Sequence, residues 1–273
     1  MSGGWRNDLE DWDAVNRMEC IDTELMAMST VDEVTLDPRQ ILTCHNQGPV
    51  GSCRGHSGST IAEWIRVLIT REIPALELSR AFMYYETQRI DGIRGDRGST
   101  ILGGTKLLLE VGIPPESLWP YKPVYNPTRP SNWNEILEES KPHKIVRQVR
   151  LQTYDALRAF LGTGQGGVDC GIQWSSAYAK PVVERYSGGG GGHAIALPTL
   201  SERKDSQGRP YVWMFNSHGE RSGVAGWSEW SANFIEGAMK NRGNIFVGLT
   251  DMPNIEPRTF TKQEWVEKLG KIL

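Results

Sequence analysis

Four residues of complementary chemistry occur in an order that could assemble one site. Cys53 ends the stretch Asn46-Gln47-Gly48-Pro49-Val50-Gly51-Ser52-Cys53, where a glycine-rich loop meets the start of a helix. Backbone N–H groups and the dipole at a helix start favour a thiolate, the form of cysteine that attacks carbon. A lone cysteine is ordinarily a small buried apolar residue, so its company decides its meaning. Of the five histidines, His193 follows the glycine run Gly188–Gly192 and opens the run His193-Ala194-Ile195-Ala196-Leu197. Glycines let a backbone approach a ligand closely, and a strand end holds a ring rigidly. Asn216 ends the run Tyr211-Val212-Trp213-Met214-Phe215-Asn216. A neutral amide there can accept from one imidazole nitrogen and leave the other facing a sulfur. Gln47 precedes Cys53 by six positions, and its side-chain amide can donate to an oxyanion together with the Cys53 N–H. Thiolate, base, orienting amide and oxyanion donors are the parts of acyl transfer through a thioester.

The elements that must hold these residues fall into two halves. A helix is predicted to start near Ser52, with Ile61, Trp64, Ile65, Leu68 and Ile69 on one apolar face. Ser79 is a good N-cap for a helix through Phe82 to about Ile90. A third helix is predicted from about Thr100 to Val111, stopped by Gly112. A proline-rich connection follows. The second half carries a short helix over 154–161 and strands at Val168–Trp174, His193–Leu197, Tyr211–Ser217 and Asn244–Leu249. The stretch Ser201–Pro210 is predicted to be a hairpin loop. Thr261 and Glu264 form a capping-box pattern for a C-terminal helix. A helical half followed by a strand-rich half predicts two lobes with a cleft between them.

The chain has 273 residues, enough for one large domain or two packed lobes, and 38% are hydrophobic. Its net charge is -3 with no basic block, so no nucleic-acid partner is expected. No apolar run is long enough to predict a membrane span, and the first residues do not have the pattern of a secretory signal. The cysteines Cys20, Cys44, Cys53 and Cys170 are few and scattered, which predicts no disulfide framework and a reducing, cytoplasmic setting. Cys44, His45 and Cys53 match no paired zinc-ligand spacing, so neither metal nor cofactor is expected.

Asn46–Cys53 resembles the NQGxCGSCW box of the papain family. Gly192-His193-Ala194 resembles its histidine box, and Asn216-Ser217-His218-Gly219 its NSWG box. Leu78–Tyr85 and Gly112–Tyr121 are similar to segments of bacterial and phage members. His193 lies 140 positions after Cys53 and Asn216 lies 163 after it. The first distance falls in the family's window of roughly 130–150 and the second overshoots it. The likeness covers roughly residues 35–250, leaving 1–34 as an N-terminal extension and 251–273 as a tail with a short helix. It implies an α+β, papain-like two-lobe fold. A helical lobe over about 45–120 and a β-barrel-like lobe over about 121–250 would flank the active site. It also implies a peptidase with Cys53 as nucleophile, His193 as base, Asn216 orienting it and Gln47 at the oxyanion. The partners expected are peptide or protein substrates.

Four departures from the family pattern carry expectations of their own. Val50 stands where the family has a half-cystine. Arg54 replaces the tryptophan after the nucleophile. His218 replaces the tryptophan that shields the His–Asn hydrogen bond, and when protonated it would place a second positive charge beside His193. Gly219–Ser231 replaces the family's WGxxGY run. The roughly 50 residues before Cys53 are too few for the long inhibitory propeptide of lysosomal members, so control by propeptide removal is not expected. Cys53 is expected to titrate well below the usual thiol value of about 8.5. A second reading, motivated by the lost tryptophan, is a papain-fold structural component of a phage particle or other assembly. In that reading activity is reduced, the protein is virion-associated and its partners are other subunits.

Overall fold

The computed structural model describes residues 4–7, 10, 12–19 and 37–251. Its helices are α1 (Trp12–Arg17), α2 (Cys53–Thr70), α3 (Arg80–Ile90), α4 (Ile101–Glu110), α5 (Trp133–Ser140), α6 (Tyr154–Gly162) and α7 (Ala232–Met239). Four of the starts are fixed by local chemistry. The hydroxyls of Ser79, Thr100, Thr153 and Ser231 accept from the N–H groups of Phe82, Gly103, Ala156 and Phe234. Helix α2 begins differently, since Ser52 makes no side-chain cap bond to the helix. Ile61, Trp64, Ile65 and Leu68 are buried, but Ile69 is 47% exposed and lies off the predicted face. The helix is buried almost all round, including the polar Arg54, His56 and Glu63.

Eight strands follow: β1 (Arg147–Arg150), β2 (Gly166–Trp174), β3 (Val182–Val183), β4 (Gly191–Leu197), β5 (Leu200–Lys204), β6 (Pro210–Phe215), β7 (Trp227–Trp230) and β8 (Ile245–Thr250). They form one sheet in the order β1-β8-β2-β4-β6-β7-β3, with β5 added against β6. The pairs are antiparallel except β3 with β7. The sheet is open, with β1 and β3 at the ends of the path, where a barrel-like closure was expected. The predicted hairpin loop is shorter than expected, because Leu200–Lys204 pairs with β6 and the turn begins at Asp205. The predicted C-terminal helix and most of the N-terminal extension lie outside the described residues.

Alternation along the strands builds two cores. Ala194, Ala196, Phe215, Ile245, Val247 and Leu249 face the helical half and join the core of α2, α3 and α4. Val168, Cys170, Ile172, Ile195, Leu197 and Phe246 face the other way and pack with α6 and α7. On β2 the face toward α2 is Gly167, Asp169 and Gly171. A Cβ at Gly167 would lie 3.0 Å from Ile61, so the glycine lets α2 lie close to the strand. The first turn of α2 thereby comes against β2 and β4, which is where the site lies.

Candidate active site

Cys53 is the first residue of α2 and is fully buried. Its sulfur accepts from the backbone N–H of Ala194 at 3.3 Å. Since Ala194 follows His193 on β4, the imidazole and the sulfur belong to the same corner of the cleft. His193 is itself buried, and its Nε2 lies 3.0 Å from Asn216 Oδ1. The amide orientation is set by its other end. Asn216 Nδ2 donates to Ser222 Oγ at 2.7 Å and approaches His218 Nδ1 at 3.2 Å. Two acceptors at the NH₂ group leave Oδ1 facing the ring, so the His193 proton sits on Nε2 and Nδ1 is bare. Two rings cover the pair. His218 stacks on His193 at 4.7 Å between centroids, and Trp174 lies 4.7 Å away on a tilt.

Gln47 sits in the loop before α2 and is buried. Its backbone N–H donates to Ser217 O at 2.8 Å, and its Oε1 accepts from Ser217 Oγ at 2.5 Å. Its Nε2 donates to Val50 O at 2.8 Å, using one of two hydrogens. The loop is fastened on two further sides. The Tyr121 hydroxyl donates to Gln47 O and shares a hydrogen with Ser52 Oγ, both at 2.7 Å. The Asp96 carboxylate accepts from Gly51 N at 2.8 Å and from the Tyr84 hydroxyl at 2.7 Å. These contacts hold the loop at the place where Val50 stands in for a half-cystine. Cys44, Cys53 and Cys170 are free thiols.

The cleft is filled by the chain's own N-terminal residues. Trp5 forms a parallel bridge with Ser99, in which Ser99 N–H donates to Gly4 O at 2.7 Å and Arg6 N–H to Ser99 O at 3.1 Å. The Gly4 N–H also points at the Cys53 sulfur. The Trp5 indole is buried against β2 and β4; a Cβ at Gly171 would lie 2.4 Å from the ring, and one at Gly192 2.5 Å from Trp5 O. Glu10 anchors the segment. Its Oε1 accepts from Trp5 Nε1 at 3.3 Å and from Ile101 N at 2.6 Å, and its Oε2 from Leu102 N at 3.3 Å. The carboxylate thus caps the N-terminus of α4.

This occlusion runs against one expectation. Burial pushes the Cys53 thiol up to about 11, against the opposing pull of the N–H groups of Ala194, Gly4 and Arg54. The helix start does favour a thiolate, but the loss of water around a wholly enclosed sulfur is the larger effect. Residues of the N-terminal extension supply the enclosure. The electrostatics of the histidines follow the same cause. Burial lowers His193 to about 3, with His218 adding to the fall and Asn216 opposing it. Burial also lowers His218, whose ring lies stacked over His193. Glu10 is pushed up to about 7 by burial, against its hydrogen bonds from Ile101, Trp5 and Leu102.

The structure brings Cys53, His193, Asn216 and Gln47 to one cleft. Trp174, Tyr121, Asp96, Gly4, Trp5 and Glu10 join them from distant parts of the chain, and Ser222 from six residues beyond Asn216, none with a sequence signal of its own. No group of three or more His, Cys, Asp or Glu able to hold a metal occurs among the described residues. No helix among them is long and apolar enough to cross a membrane.

A helical half and an open sheet, with the cysteine at a helix start and the histidine on a facing strand, make up the two-lobe papain-like fold. Solved structures of that fold match this chain closely in shape. Xylellain, a cysteine protease from Xylella fastidiosa, matches with a TM-score of 0.71 at 21% identity, over 92% of this chain and 96% of its own. The Amb a 11 cysteine protease, a major ragweed pollen allergen, matches in its proform with a TM-score of 0.66 at 18% identity, over 93% of this chain and 77% of its own. The bromelain protease of Ananas comosus, in complex with the E-64 inhibitor, matches with a TM-score of 0.59 at 18% identity, over 77% of this chain and 94% of its own. No protein-family model matches the chain, and no curated protein does.

Proposed function

We propose that this protein is a papain-like cysteine endopeptidase, held latent by its own N-terminal residues. The observation that carries the reading is the oriented His193–Asn216 pair beside the buried sulfur. Asn216 fixes the proton on Nε2, and bare Nδ1 is the nitrogen that can take a proton from Cys53. In the reaction Nδ1 receives the thiol proton and the sulfur attacks the peptide carbonyl carbon. The Cys53 N–H and the second hydrogen of Gln47 Nε2 receive the oxyanion. Collapse of the tetrahedral intermediate breaks the C–N bond, and His193 gives its proton to the leaving amine. Water, deprotonated by His193, then attacks the thioester and releases the acid and the thiol. Substrates are peptides or proteins.

None of this can happen while Gly4–Arg6 lies on Ser99 and against the sulfur, so turnover requires the segment to leave. Labelling with an epoxysuccinyl thiol-peptidase inhibitor and mass mapping tests the reading. The expected result is slow modification of Cys53 in the wild type, and fast modification in Trp5→Ala, which no longer fills the β2–β4 pocket. Labelling of Cys44 or Cys170 in preference to Cys53 would sink the assignment of the nucleophile. If Trp5→Ala cleaves none of a broad peptide library, the fold serves as a component without turnover.

A further inference from the structure

Arg54, the residue that takes the place of tryptophan after the cysteine, is wholly buried, and so is the carboxylate it meets. Arg54 Nη1 lies 3.0 Å from Asp169 Oδ2, with both side chains at 0% exposure. Asp169 Oδ1 accepts from Ser57 Oγ at 2.9 Å, so two consecutive turns of α2 hold one residue of β2. Arg54 Nη2 reaches Ile101 O at 3.4 Å, at the start of α4. The guanidinium lies in a slot made by two helical glycines. A Cβ at Gly58 would lie 1.9 Å from Nη1, and one at Gly104 2.3 Å from Nη2. Asp169 pairs with Ala196 on β4, and three residues on, Ile172 pairs with His193. The pair therefore spans the junction between the helix of the sulfur and the strands of the imidazole.

Stability alone is a poor reason for this arrangement. A buried ion pair loses hydration on both sides and is often matched by apolar residues of the same volume. Here Arg54 Nε and Nη1 and Asp169 Oδ2 make no aligned hydrogen bond, so compensation is incomplete. Each interior helical glycine also costs about 1 kcal/mol against alanine. What the arrangement does supply is a fixed relation between α2, α4 and β2.

We propose that the Arg54–Asp169 pair is a positioning device for the site: it locks the first turn of α2, and with it Cys53, onto the strand beside that of His193. It also holds the Asp169 charge, balanced by the guanidinium, within electrostatic reach of the sulfur. Asp169 raises the thiol through its negative charge, Tyr84 on α3 and Tyr121 also lie within its electrostatic reach, and His193 precedes the residue whose N–H meets the sulfur. The inference builds on the reading of Cys53 as nucleophile, but its test does not depend on peptide cleavage.

The experiment is titration of Cys53 reactivity with a pyridyl disulfide, which works in acid and alkali, on the full chain carrying Trp5→Ala, so that the midpoint reports the thiol and not the opening of the cleft; Trp5→Ala alone serves as the wild-type reference. Asp169→Asn leaves the guanidinium uncompensated, and the midpoint should move down by about half a pH unit or more. Arg54→Lys keeps the charge without the fork. It should leave the midpoint in place and lower the plateau rate on the order of tenfold. The double variant Arg54→Met/Asp169→Leu removes both charges at similar volume. It should melt no lower than the wild type, with its midpoint near the wild-type value, yet keep a plateau about tenfold low or worse. An unmoved midpoint in Asp169→Asn, or a wild-type plateau in the double variant, would overturn the proposal. Should the single variants fail to fold, the double variant alone decides. If Cys53-dependent peptide cleavage is seen while these titrations show no effect, the positioning role fails and the peptidase reading stands. If titrations shift as stated but no peptide is cleaved, the reverse holds.

Discussion

Replacing Glu10 by glutamine should remove one arm of a pH-dependent latch over the cleft. Glu10 holds the Trp5 indole and two N–H groups of α4, and burial pushes it from 4.5 up to about 7. When the segment swings away the carboxyl returns to water and to its ordinary value. The closed form therefore binds this proton more tightly than the open form. The contribution of Glu10 to closure is complete below pH 4.5, declines as the pH rises toward 7 and is lost above it. The rise from 4.5 to about 7 corresponds to roughly 3 kcal/mol, or a few hundredfold in the opening equilibrium. His193 acts with the opposite sign. Its depression from 6.5 to about 3 favours closure above pH 6.5 and opposes it as the pH falls toward 3. A comparison of wild type with Glu10→Gln at each pH cancels His193 and the thiol and isolates Glu10. The assay is the rate of Cys53 modification by a pyridyl disulfide between pH 4 and 8.5. The ratio of wild type to Glu10→Gln should be near one at pH 4.5 and climb toward a few hundred above pH 7. A ratio that stays flat over that range would refute the reasoning, since the variant mimics the protonated carboxyl.

Four further outcomes can be checked by steady-state kinetics on a protein whose segment has been displaced by Trp5→Ala. Cys53→Ala and His193→Ala should abolish peptide hydrolysis. Gln47→Ala should lower kcat on the order of 10²–10³, the cost of one oxyanion donor. Ser222→Ala should act like a milder Asn216→Ala, because it frees the amide to turn and lets the wrong tautomer of His193 form; kcat should fall with KM little changed. His218→Trp should raise the alkaline limit of the pH–rate profile by keeping water from the His193–Asn216 hydrogen bond, and an unchanged profile would show that Trp174 already provides the cover.

What could be read in the chain beforehand was what is decided locally. Helices α3, α4 and α6 start at Ser79, Thr100 and Thr153, whose hydroxyls act within three residues. Strands β2, β4, β6 and β8 are buried on both faces and so read as apolar runs. Strand β1, with the sequence Arg-Gln-Val-Arg, lies at the sheet edge and buries only Val149, so nothing in its composition marks it. Cys53, His193, Asn216 and Gln47 were visible because each sits in a short motif. The protonation of Cys53 was not, because it depends on Gly4 and Trp5 folding back over a residue about fifty positions away. Asp169 was invisible for the same reason: between Val168 and Cys170 it looks like an interruption of a strand, and only the neighbouring α2 explains it.

The loop that carries Gln47 and leads into Cys53 is tied by the Asp96 carboxylate and the Tyr121 hydroxyl, with no covalent link between cysteines. Each tie forms and breaks at the rate of ordinary hydrogen bonds and asks nothing of an oxidant. Recovery of the site from denaturant should therefore proceed equally well with or without excess reductant, without the slow search among mispaired thiols that disulfide-linked domains undergo. A protein made this way can be prepared and restored in strongly reducing solution, the condition in which its reactive thiol also lasts longest.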